Sequence, residues 1–392
     1  MRKYVSERMS NLPVSSIRVI FDKCRRMNDV VRFEIGEPDL DTPKNIKEAA
    51  KLALDEGFTH YTPFNGFEDL RQQIGHKFEN ENGFKADPEK EIIVTPGACS
   101  AVYGSLISII NPGEEVLVPD PGWPHYEVCV IMGGGIPVNY PQFEKNDFKI
   151  DPNDIASRVT AKTKAIVINS PSNPTGAVLD RKILEKIAKI AKDNDLIVIS
   201  DEVYEKIIYD NEEHVSIASL PGMREQTVTI NAFSKTYAMT GWRIGYASAP
   251  AEIISQMAKL VLYTSTCANS IGQKAAIQAL KGPQEFVSSM VKEYKRRRDF
   301  IIKRLNEIAG ISCKLPKGAF YVFPNITKLK MSSLDCASYL LENGKVSSVP
   351  GTGFGQYGEG YLRLSYATSM EILEKGMDRI EAAVKAKNRM LT

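Results

Sequence analysis

No two of the six cysteines are spaced as a C-x-x-C pair, and none of the four histidines stands four residues from another. The usual zinc ligand patterns are therefore missing, and no metal site is expected. Disulfides are not demanded in a chain of 392 residues. An excess of one charge is also lacking: 50 Lys and Arg face 48 Asp and Glu, for a net charge of +2. That balance argues against a nucleic-acid partner. No apolar run approaches the length of a membrane span. The opening "MRKYVSERMSNLPVSS" has no apolar stretch of signal-peptide length. A cytoplasmic protein with no membrane partner is expected. Internal repeats and low-complexity segments are absent too.

What is present is an ordinary globular balance, 43% hydrophobic and 25% charged. The length predicts two domains. The one basic run, Lys295-Arg296-Arg297-Arg298, lies among apolar residues at helical spacing, including Phe300, Ile301, Leu305 and Ile308. It reads as the solvated face of a long helix.

Between residues 90 and 280, short apolar runs alternate with helical patterns. The runs are "EIIVTPG" (91–97), "EEVLVPDP" (114–121), "KAIVINSP" (164–171), "LIVISDEVY" (196–204), "TVTINAFS" (227–234) and "IGYASAP" (244–250). Several are apolar throughout, as in strands buried on both faces of a mainly parallel sheet. Between two of them, Ile183, Leu184, Ile187, Ala188, Ile190 and Ala191 make one apolar helical face. This predicts a doubly wound α/β architecture. After about residue 283 the texture changes to a charged helix, "GAFYVFPNI", a glycine-rich loop and a last helix, which predicts a smaller α+β domain. The expected division is 46–283 for the large domain and 1–45 with 284–392 for the small one.

Ligands of open α/β sheets bind beyond the carboxyl ends of the strands. The residues just after each run therefore matter most. Gly97-Ala98-Cys99-Ser100 is a glycine turn opening a helix, a setting that suits a phosphate. "NSPSNPTG" (169–176) reads singly as a proline-rich turn, and Asp201 singly as a helix cap. Lys235 after "TVTINAFS" is out of place, because a lysine is nearly always a solvated surface group. One sheet edge thus collects a phosphate cradle, an asparagine turn, an aspartate, a tyrosine, a lysine and Arg243. That set suits pyridoxal phosphate chemistry, where a lysine forms the Schiff base and a carboxylate holds the ring nitrogen protonated.

At this point a family resemblance is plain. "SKTYAMTGWRIG" resembles the lysine motif of fold-type I pyridoxal-phosphate aminotransferases, in the class of the aspartate and aromatic enzymes. "IGEPDLDTP", "HYTPFNGFEDLR", "PSNPTG", "DEVY" and "YLRLSYA" are similar to the other signatures of that family, in its order. The resemblance implies a seven-stranded sheet between helices and a homodimer with shared active sites. It implies an aminotransferase that uses pyridoxal 5'-phosphate, an amino acid and a 2-oxo acid. A cofactor-dependent lyase and a binding or regulatory protein on the same fold are the alternatives.

Residue by residue, the resemblance makes Lys235 the Schiff-base lysine and Asp201 the partner of the pyridine nitrogen. Tyr204 and Asn173 match donors to the phenolic oxygen, and Trp123 the ring stacked on the cofactor. Ala98, Cys99, Ser234 and Arg243 match phosphate ligands, joined by Tyr61 from the neighbouring subunit. Arg363 matches the fork on the substrate α-carboxylate, a shape fitted to two hydrogen bonds. The segment at Gly36 matches the one that closes over substrate, where Trp123 and Asn173 also contribute. Two departures stand out. Ala232 occupies a position usually held by serine or glycine, and the phosphate turn reads Gly97-Ala98-Cys99-Ser100 where relatives often carry a second glycine and a lysine. Cys99 is either an inert small residue or a thiol activated by the helix dipole. Which amino donor is preferred stays open.

Overall fold

A computed structural model describes residues 4–10, 12, 20, 22–24 and 27–389. Most of "NLPVSS", part of the expected small domain, lies outside the described residues. Strand β1 (Val31–Arg32) precedes seven strands of one sheet: β2 (Ile92–Thr95), β3 (Glu115–Asp120), β4 (Ile136–Pro141), β5 (Thr163–Asn169), β6 (Ile197–Asp201), β7 (Thr227–Ala232) and β8 (Gly245–Ser248). Then come β9 (Tyr321–Val322), β10 (Val346–Ser347), β11 (Val349–Pro350) and β12 (Leu362–Ser365). The large sheet runs β2-β8-β7-β6-β5-β3-β4. Only β8 is antiparallel to its neighbours.

Central strands β5, β6 and β7 are buried almost throughout, because helices cover both faces. The helix Arg181–Asp193 turns Leu184, Ile187, Ala188 and Ala191 inward as its pattern predicts, and Asp180 caps it by accepting Ile183 N–H at 3.0 Å. Strand β4 has no counterpart among the six apolar runs. It carries Pro137 and Pro141 and lies at the sheet edge, where a missing backbone donor is tolerated.

A further apolar core joins Ile20, Val31 and Phe33 to residues of the last hundred, among them Tyr294, Phe320, Leu340, Leu364 and Ile380, and reaches Tyr204 and Ala232 at the ends of β6 and β7. Two small sheets belong to this half, β1-β10 and β11-β12-β9. The helix Glu285–Glu307 runs along it. The basic run on that helix is not simply a solvated face. Arg297 and Arg298 are buried, Arg298 only 1% exposed. Arg298 makes two bonds to Asp210, at 2.7 and 3.0 Å, and Arg297 reaches Asp39 at 2.8 Å. Their partners lie far away in sequence, so local pattern gives no sign of them. Among the described residues, no helix is long and apolar enough to cross a membrane.

Candidate active site

The carboxyl ends of β5, β6 and β7 open onto a cavity of about 390 Å³. Eleven of the twelve residues singled out from sequence line it: Gly36, Ala98, Cys99, Trp123, Asn173, Asp201, Tyr204, Ser234, Lys235, Arg243 and Arg363. Tyr61 does not; it stands 84% exposed.

Lys235 follows β7 in the one-turn helix Phe233–Thr236. Its Nζ donates to the carbonyl of Gly36 at 2.6 Å. Burial, with Arg363 as a second cause, lowers its pKa to about 8. A useful fraction of the amine is thus neutral near physiological pH.

Asp201 ends β6 and is 2% exposed. Tyr126 donates its hydroxyl to Asp201 Oδ2 at 2.6 Å, and Val203 N–H donates to Oδ1 at 3.2 Å. Burial still pushes the carboxyl up to about 6. No salt-bridge partner reaches it among the described residues. Asn169 fixes the same strand ends. Its Nδ2 donates to Asp201 O at 3.0 Å, and its Oδ1 accepts Asn173 N–H at 2.8 Å.

At the other wall, β12 delivers Arg363, 5% exposed. It donates to Glu34 O at 2.6 Å and Asn173 Oδ1 at 3.3 Å. Its guanidinium lies 4.6 Å from the Tyr321 ring centroid and 5.1 Å from that of Phe354. Its Nε is buried without a partner, and no carboxylate pairs with it among the described residues. Tyr204 and Tyr321 share a hydrogen bond of 2.8 Å.

The third wall is the start of the helix Ala98–Ile109. Ser100 and Ala101 are the first N–H groups to bond back to Gly97, so those of Ala98 and Cys99 have no helical acceptor. Gly97 takes φ +81°, and a Cβ there would collide with the Arg243 guanidinium. Glycine thus leaves a cation and a helix N-terminus side by side, an anion-binding arrangement. Arg243 itself has φ +55° and is braced by Thr240 O at 2.9 Å. Burial pushes the Cys99 thiol up despite Arg243, which favours the inert reading over dipole activation. The Trp123 ring borders the cavity, edge-on to Tyr126 at 5.4 Å.

Tyr126, Asn169, Tyr321 and Phe354 were missed as site residues. Asn169, Tyr321 and Phe354 lie in stretches already marked, "NSPSNPTG", "GAFYVFPNI" and the glycine-rich loop, whereas Tyr126 lies in none of these. The overlooked signal for Tyr126 was its place one helical turn after Trp123. The cavity's chemistry fits pyridoxal phosphate: Asp201 suits a cationic ring nitrogen, Lys235 an aldehyde, and the helix start beside Arg243 a phosphate.

Comparison with known proteins gives a consistent result. Residues 28–380 match the family described as aminotransferase class I and II. The aspartate aminotransferase of Pyrococcus abyssi is 49% identical over 98% of this chain and 99% of its own length. Aromatic-amino-acid aminotransferase 2 of Thermococcus litoralis is 45% identical over the same shares. The Thermus thermophilus aspartate aminotransferase, solved with maleate, superposes with a TM-score of 0.93 at 38% identity, covering 98% of this chain and 100% of that one.

Proposed function

Because the chain belongs to the class I and II aminotransferases, we propose that it uses pyridoxal 5'-phosphate, held on Lys235, to move an amino group from an L-amino acid to a 2-oxo acid such as 2-oxoglutarate. Aspartate and aromatic amino acids are the favoured donors. The observation that carries the reading is a pair of buried charges facing one cavity, Asp201 and Arg363, neither of which has a salt bridge among the described residues, the Arg363 Nε being left without a partner. Buried charges are costly unless paired. A ligand that is cationic at one end and carboxylic at the other completes both.

Asp201, oriented by Tyr126, would hold a protonated ring nitrogen. Ala98, Cys99, Ser234 and Arg243 would take the phosphate. Trp123 would border the ring, and Asn173 and Tyr204 would donate to its phenolic oxygen. When bound, pyridoxal phosphate supplies an electron sink for negative charge at the substrate α-carbon. Lys235 Nζ, poised by its lowered pKa, accepts the proton that leaves that carbon. Arg363 grips the α-carboxylate in a fork and so fixes which bond faces Lys235. The Gly36 segment covers the substrate and keeps water out. Trp123, Tyr321 and Phe354 provide aromatic walls for an aromatic donor. The maleate carried by the Thermus enzyme supports a dicarboxylic one.

The functional unit in this reading is a cytoplasmic homodimer, with domains 46–283 and 1–45 plus 284–392. The carboxyl-terminal half has most of one apolar core to itself, which supports that division, although Val203, Tyr204, Ile207, Tyr209 and Ala232 of the large domain join it. Exposed Tyr61, Phe64, Leu262 and Tyr263 support the dimer. The Tyr61 loop is tied to the turn after Tyr263, where Thr62 N–H meets Cys267 Sγ at 3.5 Å. A two-fold partner would bury this face and carry Tyr61 to the phosphate of the other site.

The test is a panel of amino donors with 2-oxoglutarate, followed by absorbance. The expected result is a cofactor spectrum that changes with an amino acid and recovers with a 2-oxo acid. Release of ammonia or a side-chain fragment instead would mark a lyase and overturn the proposal.

A further inference from the structure

Behind Asp201, on the opposite face of the β6 end, lies a buried cluster that the proposed chemistry does not use. Glu202 is 1% exposed. Its Oε1 accepts the hydroxyls of Ser200 and Ser216, each at 2.8 Å. Its Oε2 meets Asn82 Nδ2 at 3.1 Å and His214 Nε2 at 2.8 Å. Asn82 also donates to Glu205 at 2.8 Å and accepts from Lys77 at 2.7 Å, and Lys77 pairs with Glu205. Glu202, Glu205 and His214 are close enough to chelate an ion. However, both Glu202 oxygens are already engaged and the Lys77 ammonium already neutralises Glu205. The cluster is therefore a charge network. Counted as ionised, two carboxylates and one ammonium leave one negative charge, and among the described members of the cluster a protonated His214 is the group that cancels it.

We propose that Glu202 and His214 are positioning residues for Asp201, their ion pair fixing the strand end from behind and keeping a net negative charge away from its carboxylate. The inference rests on Asp201 being the cofactor's carboxylate. Strand alternation puts Asp201 and Glu202 on opposite faces, one peptide apart. The Glu202 N–H is itself bonded to Ile230 O at 2.9 Å, so the pair is rigidly mounted. Electrostatics agree. Glu202 is among the groups that raise the Asp201 carboxyl, after burial itself. Against burial, Glu202 and then Glu205 raise His214. Against burial, Lys77 and His214 hold Glu205 down at about 2. The other ionisable groups facing Asp201 are Tyr126, Tyr204, Cys99 and Lys235, while Tyr237 and Tyr246 border Glu205.

The test is equilibrium binding of pyridoxal phosphate to the cofactor-free enzyme between about pH 5 and pH 9, a readout independent of turnover. Binding should weaken as pH falls in two steps, through Lys235 near pH 8 and then through Asp201 near pH 6, and the lower midpoint is the one read. His214→Gln leaves Glu202 uncompensated and should raise that midpoint by about one pH unit, the scale of a neighbouring like charge. Affinity should then fall roughly five- to ten-fold near pH 6 and stay unchanged near pH 9. The double variant His214→Gln/Glu202→Gln removes both charges and should restore the midpoint. A purely structural role predicts the double variant to be the worst of the series. An unmoved midpoint in His214→Gln, or a double variant as displaced as the single, overturns the proposal. If His214→Gln does not fold, Glu205→Gln carries the test with reversed sign: it removes a negative charge and must lower the midpoint. Failure of the native protein to bind pyridoxal phosphate at any pH would instead overturn the underlying reading of Asp201.

Discussion

Two groups of buried charges meet at the end of β6. On one face, Lys77, Asn82, Glu202, Glu205, His214 and two serines satisfy each other almost completely. On the other, Asp201, Lys235 and Arg363 face a shared cavity without a salt bridge among them. Burial alone therefore does not mark a site. The mark is burial combined with an unfilled electrostatic demand. The first group is expected to govern stability and to act on the chemistry only through Asp201, while the second carries the chemistry directly.

Lys235→Ala should separate these roles most sharply. Turnover is expected to fall by at least about 10⁴-fold, because covalent attachment and proton transfer are lost together. The chain should stay folded, since Lys235 bonds only one carbonyl. Stopped-flow absorbance of the half-reaction, with circular dichroism as control, checks both parts.

Lys77→Met should do the reverse. It leaves Glu205 charged, buried and unpaired, at a cost of about 3–5 kcal/mol in stability. Urea denaturation of the cofactor-free chain measures this. A loss below about 1 kcal/mol would erase the contrast between the faces.

Asp201→Asn couples the two quantities. Activity should drop by several orders of magnitude as the ring nitrogen loses its anion. Stability of the cofactor-free chain should move the other way. Burial raises the Asp201 carboxyl to about 6, above its unfolded value near 3.9. Its favourable contribution is thus fully present below about pH 4 and is lost as pH rises through 6. Asparagine escapes that loss, so the variant should be more stable than the native chain above pH 6, by up to about 3 kcal/mol. Thermal melts at pH 4 and pH 8 test the sign.

Arg363→Ala should cost at least about 2 kcal/mol in kcat/KM for every donor and acceptor, since all share the α-carboxylate. Steady-state kinetics with aspartate, an aromatic donor and 2-oxoglutarate would reveal a loss confined to dicarboxylates, which would reassign the residue to side-chain recognition.

The cavity was more legible in sequence than its support. Lys235 was conspicuous by its place at a strand end, Asp201 only as one of a set of strand-end residues, and Arg363 only through the motif "YLRLSYA" and its family resemblance. Tyr126 and Asn169 act one step behind, and nothing local distinguishes a tyrosine that donates to Asp201 from one that only packs. Lys77 and Glu205 are far apart in sequence and meet only when the chain folds. The same holds for Arg298 and Asp210, which is why a run of four cations read as solvated. Strand β4 escaped because its prolines oppose the usual strand signature. Tyr61 is exposed in one chain, so its proposed role depends on a second copy.

The helix Glu285–Glu307 has a mechanical consequence. Its adjacent arginines fasten it at two points, Arg298 to Asp210, beyond β6, and Arg297 to Asp39, three residues past Gly36. The two anchors sit at one level of a helix of twenty-three residues, one turned toward Asp210 and the other toward Asp39. The segment after β6 and the stretch of backbone past Gly36 are thereby clamped to the same rigid rod, so the spacing between these two borders of the cavity is set by the width of a helix rather than by the loops themselves.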